Sequence, residues 1–174
     1  MISGGYNQYV FNCNGLYDPN YSGTGHQPLY FDQLMTIYNH YCVTESTITV
    51  TPFTNTTGTG LTVCLFQDDD TATGSILNIT SAIERPGAVY CCSNGTAGPF
   101  YPTSLKNTWK AKNVFAGDPL SRDELAGGAA ANPTEMTHWY IGISDMLLQS
   151  NTIQFNVVIK YKATFFELKT VTQS

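Results

Sequence analysis

A regular alternation of apolar and polar residues near the C-terminus constrains the fold of this chain more than any other feature. From Ile153 to Phe165 every odd-numbered position is apolar or aromatic, and most even-numbered positions carry Gln, Asn, Lys or Thr. A period of two is that of a β-strand, because successive side chains of a strand point to opposite faces. The alternation therefore predicts a long strand with one face buried.

Shorter β patterns, separated by turn-forming residues, recur through the rest of the chain. We predict further strands at residues 9–13, 41–53, 61–65, 88–93, 109–115 and 138–144. The second of these changes phase: Tyr41 and Val43 have one parity, and Ile48 and Val50 have the other. We therefore expect a bulge or a bend near Glu45 and Ser46.

Helical spacing occurs at one place, early in the chain. Phe31, Leu34, Met35 and Tyr38 recur at i, i+3, i+4 and i+7, which predicts a short helix. About eight strands, this helix and several long loops favour an all-β, eight-stranded antiparallel jelly roll in a single domain over residues 1–174. An immunoglobulin-like sandwich is less favoured, because the Cys–Trp–Cys spacing of that fold is absent.

The chain is poor in charge. Hydrophobic residues make up 42% of its 174 residues, but charged residues make up only 12%, about half the usual share of a soluble domain. We expect neighbouring subunits to cover much of the surface, although abundant Thr, Asn, Ser and Gln could also solvate it. The sequence has neither a run of 18 apolar residues nor a signal-peptide pattern, so we expect no membrane partner and assembly inside a cell.

The five cysteines are Cys13, Cys42, Cys64, Cys91 and Cys92. Their odd number, the adjacent pair and the missing CxxC spacing argue against a zinc site or a disulfide framework. We expect reduced thiols that are buried or half-buried in packed β structure.

Several short motifs follow one another between Asn14 and Val50. They are Tyr17-Asp18-Pro19, Gly25-His26-Gln27-Pro28, Phe31-Asp32-Gln33-Leu34, the pair Tyr38 and Tyr41, and Ser46-Thr47-Ile48-Thr49-Val50. In this segment, about a fifth of the chain, the sequence resembles the capsid proteins of circular, Rep-encoding single-stranded DNA viruses (the circovirus-like group). The resemblance implies a jelly-roll subunit, a closed icosahedral shell of about 60 copies and an enclosed circular single-stranded DNA genome.

The chain departs from that group in its charge. Such coat proteins usually begin with a long Arg/Lys-rich arm, whereas this chain has a net charge of −5 and a first β segment close to Met1. Basic residues neutralise packaged nucleic acid, so the sequence predicts shell formation more strongly than genome binding.

The candidate nucleic-acid contacts are Lys106, Lys110, Lys112, Lys160 and Lys162. Lys110 and Lys112 share one face of a predicted strand, as do Lys160 and Lys162, and each pair lies opposite an apolar face. A basic patch inside a shell would contact phosphates without selecting bases. An ordinary solvated strand face is the alternative.

We predict no metal site and no cofactor. Asp68-Asp69-Asp70 could hold a divalent cation, but its spacing is not that of an EF-hand, and an exposed strand connection is favoured. His26 is assigned a structural role in the loop before the helix.

Sequence motifs of enzymes are missing: GxSxG, the P-loop and GxGxxG do not occur, so we assign no catalytic residue. Trp109, Trp139 and Tyr101 keep a lectin-like carbohydrate-binding domain as an alternative function, and a trimeric ligand domain is a second alternative. We expect the helix and the strand edges to contribute to subunit contacts, and Thr54–Gly60 and Gly117–Pro133 to be exposed loops.

Overall fold

The computed structural model describes residues 5–53, 60–69, 78–93, 100, 103–145 and 153–170. Within these ranges the chain forms eight strands, three short helices and two 3-10 turns at Pro119–Ser121 and Asp123–Leu125. The strands are β1 (Tyr6–Asn12), β2 (Tyr38–Phe53), β3 (Leu61–Asp68), β4 (Val89–Cys92), β5 (Leu105–Lys110), β6 (Ala126–Gly127), β7 (His138–Asp145) and β8 (Gln154–Leu168). The helices are α1 (Phe31–Ile37), α2 (Ile79–Ile83) and α3 (Ala111–Val114).

The strands form two sheets in which sequence neighbours are mostly not spatial neighbours. One sheet has the order β1-β7-β3-β4; in the other, β2 lies between β5 and β6 and also pairs with β8. The hydroxyl of Thr44 donates to the carbonyl of Lys162 at 3.3 Å, and the Lys169 N–H donates to the Ile37 carbonyl at 2.8 Å. Residue numbers thus fall along β8 as they rise along β2, so this pair is antiparallel.

The pair β3·β7 is nested inside the pair β2·β8 along the chain, and it is also antiparallel over eight residue pairs. Nested antiparallel pairing across two sheets is the wiring of a jelly roll. The predicted all-β, eight-stranded antiparallel jelly roll is confirmed.

The chain divides into two compact units. The first comprises Met1–Val10, Thr47–Thr108 and His138–Lys160, and the second comprises Phe11–Ser46, Trp109–Thr137 and Tyr161–Ser174. The prediction of one domain over the whole chain stays a prediction.

In the first unit, the core is built on the central strands β3 and β7. Phe66 and Tyr140 stack with ring centroids 5.2 Å apart, and Cys64 and Ala82 are fully buried beside them. Helix α2 covers this cluster, and Asn78 caps the helix by accepting the N–H of Ser81 at 2.9 Å.

In the second unit, the core gathers around α1 and the first half of β2. Phe31 and Met35 are the buried residues of α1, as the i, i+4 spacing predicts. The rings of Phe31 and Tyr41 meet edge to face at a centroid distance of 5.5 Å. Tyr41 is fully buried.

The burial pattern of β2 confirms the predicted change of phase. Tyr41 and Val43 are buried, as are Ser46 and Ile48, whereas the consecutive residues Thr44 and Glu45 are both half-buried. Two neighbouring residues on the outer face are what a β-bulge produces. In β8, exposed and half-buried residues alternate from Gln154 to Phe165, as the sequence predicts.

The predicted strand over residues 109–115 is wrong beyond Lys110. β5 ends there, and Ala111–Val114 form a single helical turn, with the Phe115 N–H donating to the Ala111 carbonyl at 2.8 Å. Apolar residues at positions 111 and 115 are four apart, which suits a helix as well as a strand. Lys112 therefore does not share a strand face with Lys110.

One further prediction is partly wrong, and the bounds of another shift. The first strand runs over Tyr6–Asn12, whereas the sequence predicts it at residues 9–13. Gly117–Pro133 is not a featureless exposed loop, because it contains the two 3-10 turns and β6, and Leu125 is buried within it. The predicted loop Thr54–Gly60 lies outside the described residues except for Gly60. Among the described helices, none is both long and apolar enough to cross a membrane.

Candidate functional site

The two lysines of β8 lie where the sequence predicts them. Lys160 and Lys162 are exposed, and they alternate with the half-buried residues Ile159 and Tyr161. The strand geometry predicted for this pair is confirmed. Their contact with nucleic acid stays a prediction.

The other three predicted lysines are also exposed, but they differ in their surroundings. Lys106 and Lys110 lie on the exposed face of β5, and Lys112 lies on α3. The Nζ of Lys110 is 3.5 Å from an Oε of Glu45, so a neighbouring carboxylate offsets part of its charge. An exposed pair of this kind contributes little to stability and is screened by salt.

The acidic turn is partly neutralised by an arginine. An Oδ of Asp68 lies 2.8 Å from a guanidinium nitrogen of Arg85, Asp69 is exposed, and Asp70 lies outside the described residues. In the ranges that the structure describes, His, Cys, Asp and Glu do not gather into a group of three or more that could hold a metal ion. The ring of exposed His26 lies 3.0 Å from the carbonyl of Gln27.

Four of the five cysteines are buried, and Cys92 is exposed. Burial raises the pKa of Cys64 and Cys91 to about 12 and that of Cys42 to about 11. Because the thiolate is the reactive form, these buried thiols are chemically inert packing groups at neutral pH.

The hydroxyl of Tyr41 is the centre of a polar network in the second unit. It accepts the backbone N–H of Leu16 at 3.1 Å and that of Tyr17 at 3.4 Å, and it donates to the Oδ1 of Asn132 at 3.3 Å. The same Asn132 oxygen accepts the N–H of Asp18 at 3.1 Å. Burial raises the pKa of Tyr41 to about 12, so the phenol keeps the proton that it donates. The Tyr17-Asp18 motif is thereby fixed to a side chain of β2.

A second set of hydrogen bonds fixes the residues just before this motif. The amide of Asn14 donates to the carbonyl of Glu135 at 2.8 Å, and its oxygen accepts the N–H of Thr137 at 3.1 Å. The hydroxyl of Tyr161 donates to the carbonyl of Asn12 at 3.0 Å. Buried polar groups that are satisfied in this way hold a loop in one conformation.

Two glycines allow the network to close. A Cβ on Gly15 would lie 2.7 Å from the Oδ1 of Asn132, and a Cβ on Gly127 would overlap the ring of Tyr41. Gly127 stands directly across from Tyr41 in the β2·β6 ladder, so the ring lies over the position where a side chain would be. Both positions require glycine because of close approach.

The turn before α1 holds a tyrosine in an unfavourable backbone conformation. The Phe31 N–H donates to the Pro28 carbonyl at 3.2 Å, and Tyr30 has φ 68° and ψ 3°. These are the dihedrals of the third residue of a type II turn, a position that favours glycine. The turn leaves Leu29 89% exposed and Tyr30 72% exposed.

An apolar cleft of about 200 Å³ lies beside this turn, within the second unit. No charged residue lines it. The lining residues are Leu16, Pro28, Leu29, Phe31, Leu34, Tyr161, Ala163 and Phe165. Pockets for small organic ligands usually measure about 300–1,000 Å³, so this cleft is sized for a side chain.

The C-terminal end of α1 is capped from the end of β8. The Nζ of Lys169 donates to the Met35 carbonyl at 2.6 Å, and the backbone N–H of Lys169 donates to the Ile37 carbonyl. A cation at this end of a helix satisfies free carbonyls and complements the helix dipole. The cap leaves Ile37 49% and Leu168 70% exposed.

The motif segment is visible in the sequence, but the residues that hold it in place are not. Asn132, Tyr161 and Gly127 have no motif of their own, and their contacts join parts of the chain far apart in sequence. The exposed turn had a weak signal, because Pro28 precedes it but Leu29 and Tyr30 are not turn-forming residues.

Comparison with family models and with curated proteins gives no match. Several solved structures are similar over nearly the whole chain. Tobacco necrosis virus matches with a TM-score of 0.52 and 13% identity, covering 97% of this chain and 89% of that chain. The T=1 subviral particle of a Penaeus vannamei nodavirus capsid protein deletion mutant matches with a TM-score of 0.52 and 9% identity, covering 97% and 94%.

A third similar structure is that of maize chlorotic mottle virus. Its TM-score is 0.50 at 10% identity, and the match covers 99% of this chain and 90% of that chain. At such identities the likeness concerns the fold. The chain has a jelly roll of the kind found in viral capsid proteins.

Proposed function

We propose that this chain is a structural coat protein whose copies assemble into the closed shell of a virus particle. The observation that carries the proposal is the extent of the structural match: 97% of this chain corresponds to 94% of the nodavirus capsid protein deletion mutant. The two folds therefore agree as whole units and not through one shared motif. A fold alone does not fix a function, so the proposal also needs support from the surface.

The surface supports self-association. Charged residues are only 12% of the chain, and large hydrophobic side chains are exposed by 40% or more at many described positions. They are Tyr9, Tyr21, Leu29, Tyr30, Ile37, Phe53, Tyr90, Val114, Leu120, Val158 and Leu168. These apolar side chains are available for contacts between copies, and the subunit of a shell buries such side chains against its neighbours.

We infer further that the shell is of the circovirus-like type, with about 60 copies around a circular single-stranded DNA. The motifs between Asn14 and Val50 support this inference. The hydrogen bonds of Tyr41 and Asn132 hold the backbone of the Tyr17-Asp18 motif in place, so this motif has a structural role. In this proposal the chain is a component of the virion. Its genome contacts are the exposed lysines Lys106, Lys110, Lys112, Lys160 and Lys162.

Negative-stain electron microscopy of the purified chain tests the shell. We expect uniform closed particles of one diameter. A population of monomers or trimers at every concentration and ionic strength tried would contradict the proposal. Digestion of the particle contents with DNase and, separately, with RNase then identifies the nucleic acid.

The lysines are tested by replacing Lys160 and Lys162 together with Gln. We expect less nucleic acid in the particles, and a log–log salt dependence of binding that is shallower by about 0.7–0.9 per lost phosphate contact. The control replaces both residues with Arg, which keeps the charge and should keep the nucleic acid. Equal retention in all three proteins would identify these lysines as solvated strand residues.

A further inference from the structure

We infer that the Leu29–Tyr30 turn and the cleft beside it form a two-fold contact between two copies of this chain. Tyr30 of each copy inserts into the cleft of the other. We call Leu29, Tyr30 and the cleft-lining residues the turn-and-cleft patch. The inference rests on the proposed shell and names one of the surfaces by which its subunits meet.

The first observation is the conformation of Tyr30. At φ 68° the backbone of a non-glycine residue is strained, and glycine would relieve that strain. The side chain gains little within its own chain in return, because it is 72% exposed. The backbone carbonyl of Tyr30 accepts the first hydrogen bond of α1, from the Leu34 N–H at 3.0 Å, but a residue of any type could supply that carbonyl. A strained, exposed aromatic residue points to a use outside the chain.

The second observation is the chemistry of the cleft. Its lining is aliphatic and aromatic, without a charged residue, and the hydroxyl of Tyr161 is already engaged with the Asn12 carbonyl. Such a cleft accepts an apolar or aromatic group. Its volume of about 200 Å³ suits one such side chain and excludes most small-molecule ligands.

The third observation is that the two features are neighbours. Leu29 belongs both to the exposed turn and to the lining of the cleft. A projecting side chain and a cleft that lie side by side on one surface can be used twice. When a second copy is rotated by 180° about an axis between the two features, the side chain of each copy meets the cleft of the other. That is the arrangement of an isologous contact, in which the same patch is used by both copies.

The size of the patch favours a second copy over an unrelated partner. The exposed parts of Tyr30 and Leu29 together offer about 300 Å². The cleft surface that receives them is smaller, so a reciprocal contact of two turns and two clefts buries about 800 Å² in total. A specific interface that stands alone needs about 1,000 Å² or more. A contact this small holds only where symmetry repeats it beside other contacts, as in a closed shell.

Tyr30→Gly tests the inference, because this change removes the side chain and also relieves the backbone strain. We expect a Tm equal to or above that of the wild type, together with at least a tenfold rise in the protein concentration at which half of the chains assemble, measured by light scattering. Tyr30→Phe should assemble within threefold of the wild type. Tyr30→Phe is therefore the matched control, because it keeps the aromatic ring at the same backbone position.

Photo-crosslinking identifies the partner surface. Benzoylphenylalanine at position 30 of the assembled wild-type background should give crosslinks between chains that map to the cleft-lining residues, Tyr161, Ala163 and Phe165 among them. Crosslinks that map only to segments outside the cleft lining would overturn the two-fold contact without contradicting the shell. A folded Tyr30→Gly variant that assembles at the wild-type concentration would overturn it as well. If the wild-type chain forms no particles, the proposed function itself fails.

Discussion

Replacing Tyr41 with Phe removes one hydroxyl and keeps the ring that packs on Phe31. The hydroxyl accepts two backbone N–H groups, and of these the Leu16 N–H is buried. A buried donor that loses its partner costs about 1–3 kcal/mol, and a half-buried one costs less. The carboxamide oxygen of Asn132 keeps the Asp18 N–H, so it adds little. We therefore expect Tyr41→Phe to lower the free energy of unfolding by about 2–4 kcal/mol.

Urea denaturation followed by circular dichroism measures this loss on the unassembled chain. For a chain of this length each kcal/mol corresponds to about 2–4 °C in Tm, so in thermal denaturation the Tm should fall by about 4–16 °C. The control is Tyr38→Phe. The Tyr38 ring packs at 6.2 Å from that of Phe165, and no hydrogen bond of its hydroxyl occurs among the described residues. The control should change stability by less than about 0.5 kcal/mol. If both variants lose the same amount, the network around Tyr41 does not stabilise the loop.

Three further predictions follow from the same packing and burial. Gly127→Ala forces the ring of Tyr41 to move and should cost at least about 2 kcal/mol by urea denaturation; a neutral effect would contradict the close approach. A thiol reagent such as DTNB should modify Cys92 quickly in the folded chain and all five cysteines after denaturation; a second fast thiol would contradict the burial of the others. Burial raises the pKa of Tyr6 and Tyr41 to about 12, above their ordinary value of about 10. The folded chain therefore keeps protons that the unfolded chain loses, so stability contributed by these groups is intact below pH 10 and falls as the pH rises toward 12. Urea midpoints at pH 8, 10 and 11 measure this, and midpoints that do not fall would refute it.

The parts of the fold that the sequence predicts are those set by local periodicity. The β8 alternation over Ile153–Phe165 appears directly in the burial pattern, and α1 covers the predicted i, i+4 spacing. The phase change in β2 was visible as well, because a bulge changes the parity of the apolar residues. None of these features depends on which strand lies next to which.

Local patterns fail where two structures satisfy the same spacing or where a contact is distant in sequence. Ala111 and Phe115 fit both a strand and a helical turn, and the structure forms the turn. The hydroxyl of Tyr41 meets Asn132 across 91 positions, and Tyr161 meets Asn12 across 149. Such contacts are decided by strand pairing, which no short window of sequence contains.

The exposed turn before α1 is a second feature that local sequence patterns do not predict. Pro28 marks a turn in the sequence, but the left-handed φ of Tyr30 and the cleft beside it are properties of the folded chain. The jelly roll could be predicted from the sequence, whereas the turn and cleft of the proposed contact could not.

Mass photometry of the purified chain tests self-assembly most directly, because it weighs single particles in solution. For about 60 copies of a 19.1 kDa chain we expect one discrete species near 1.1 MDa that grows at the expense of free subunits as concentration rises. A single discrete species at another large multiple of the chain mass would still support a closed shell, but with a copy number other than about 60. A chain that stays below 100 kDa under all conditions, or a continuous distribution of masses without a discrete peak, would contradict a closed shell.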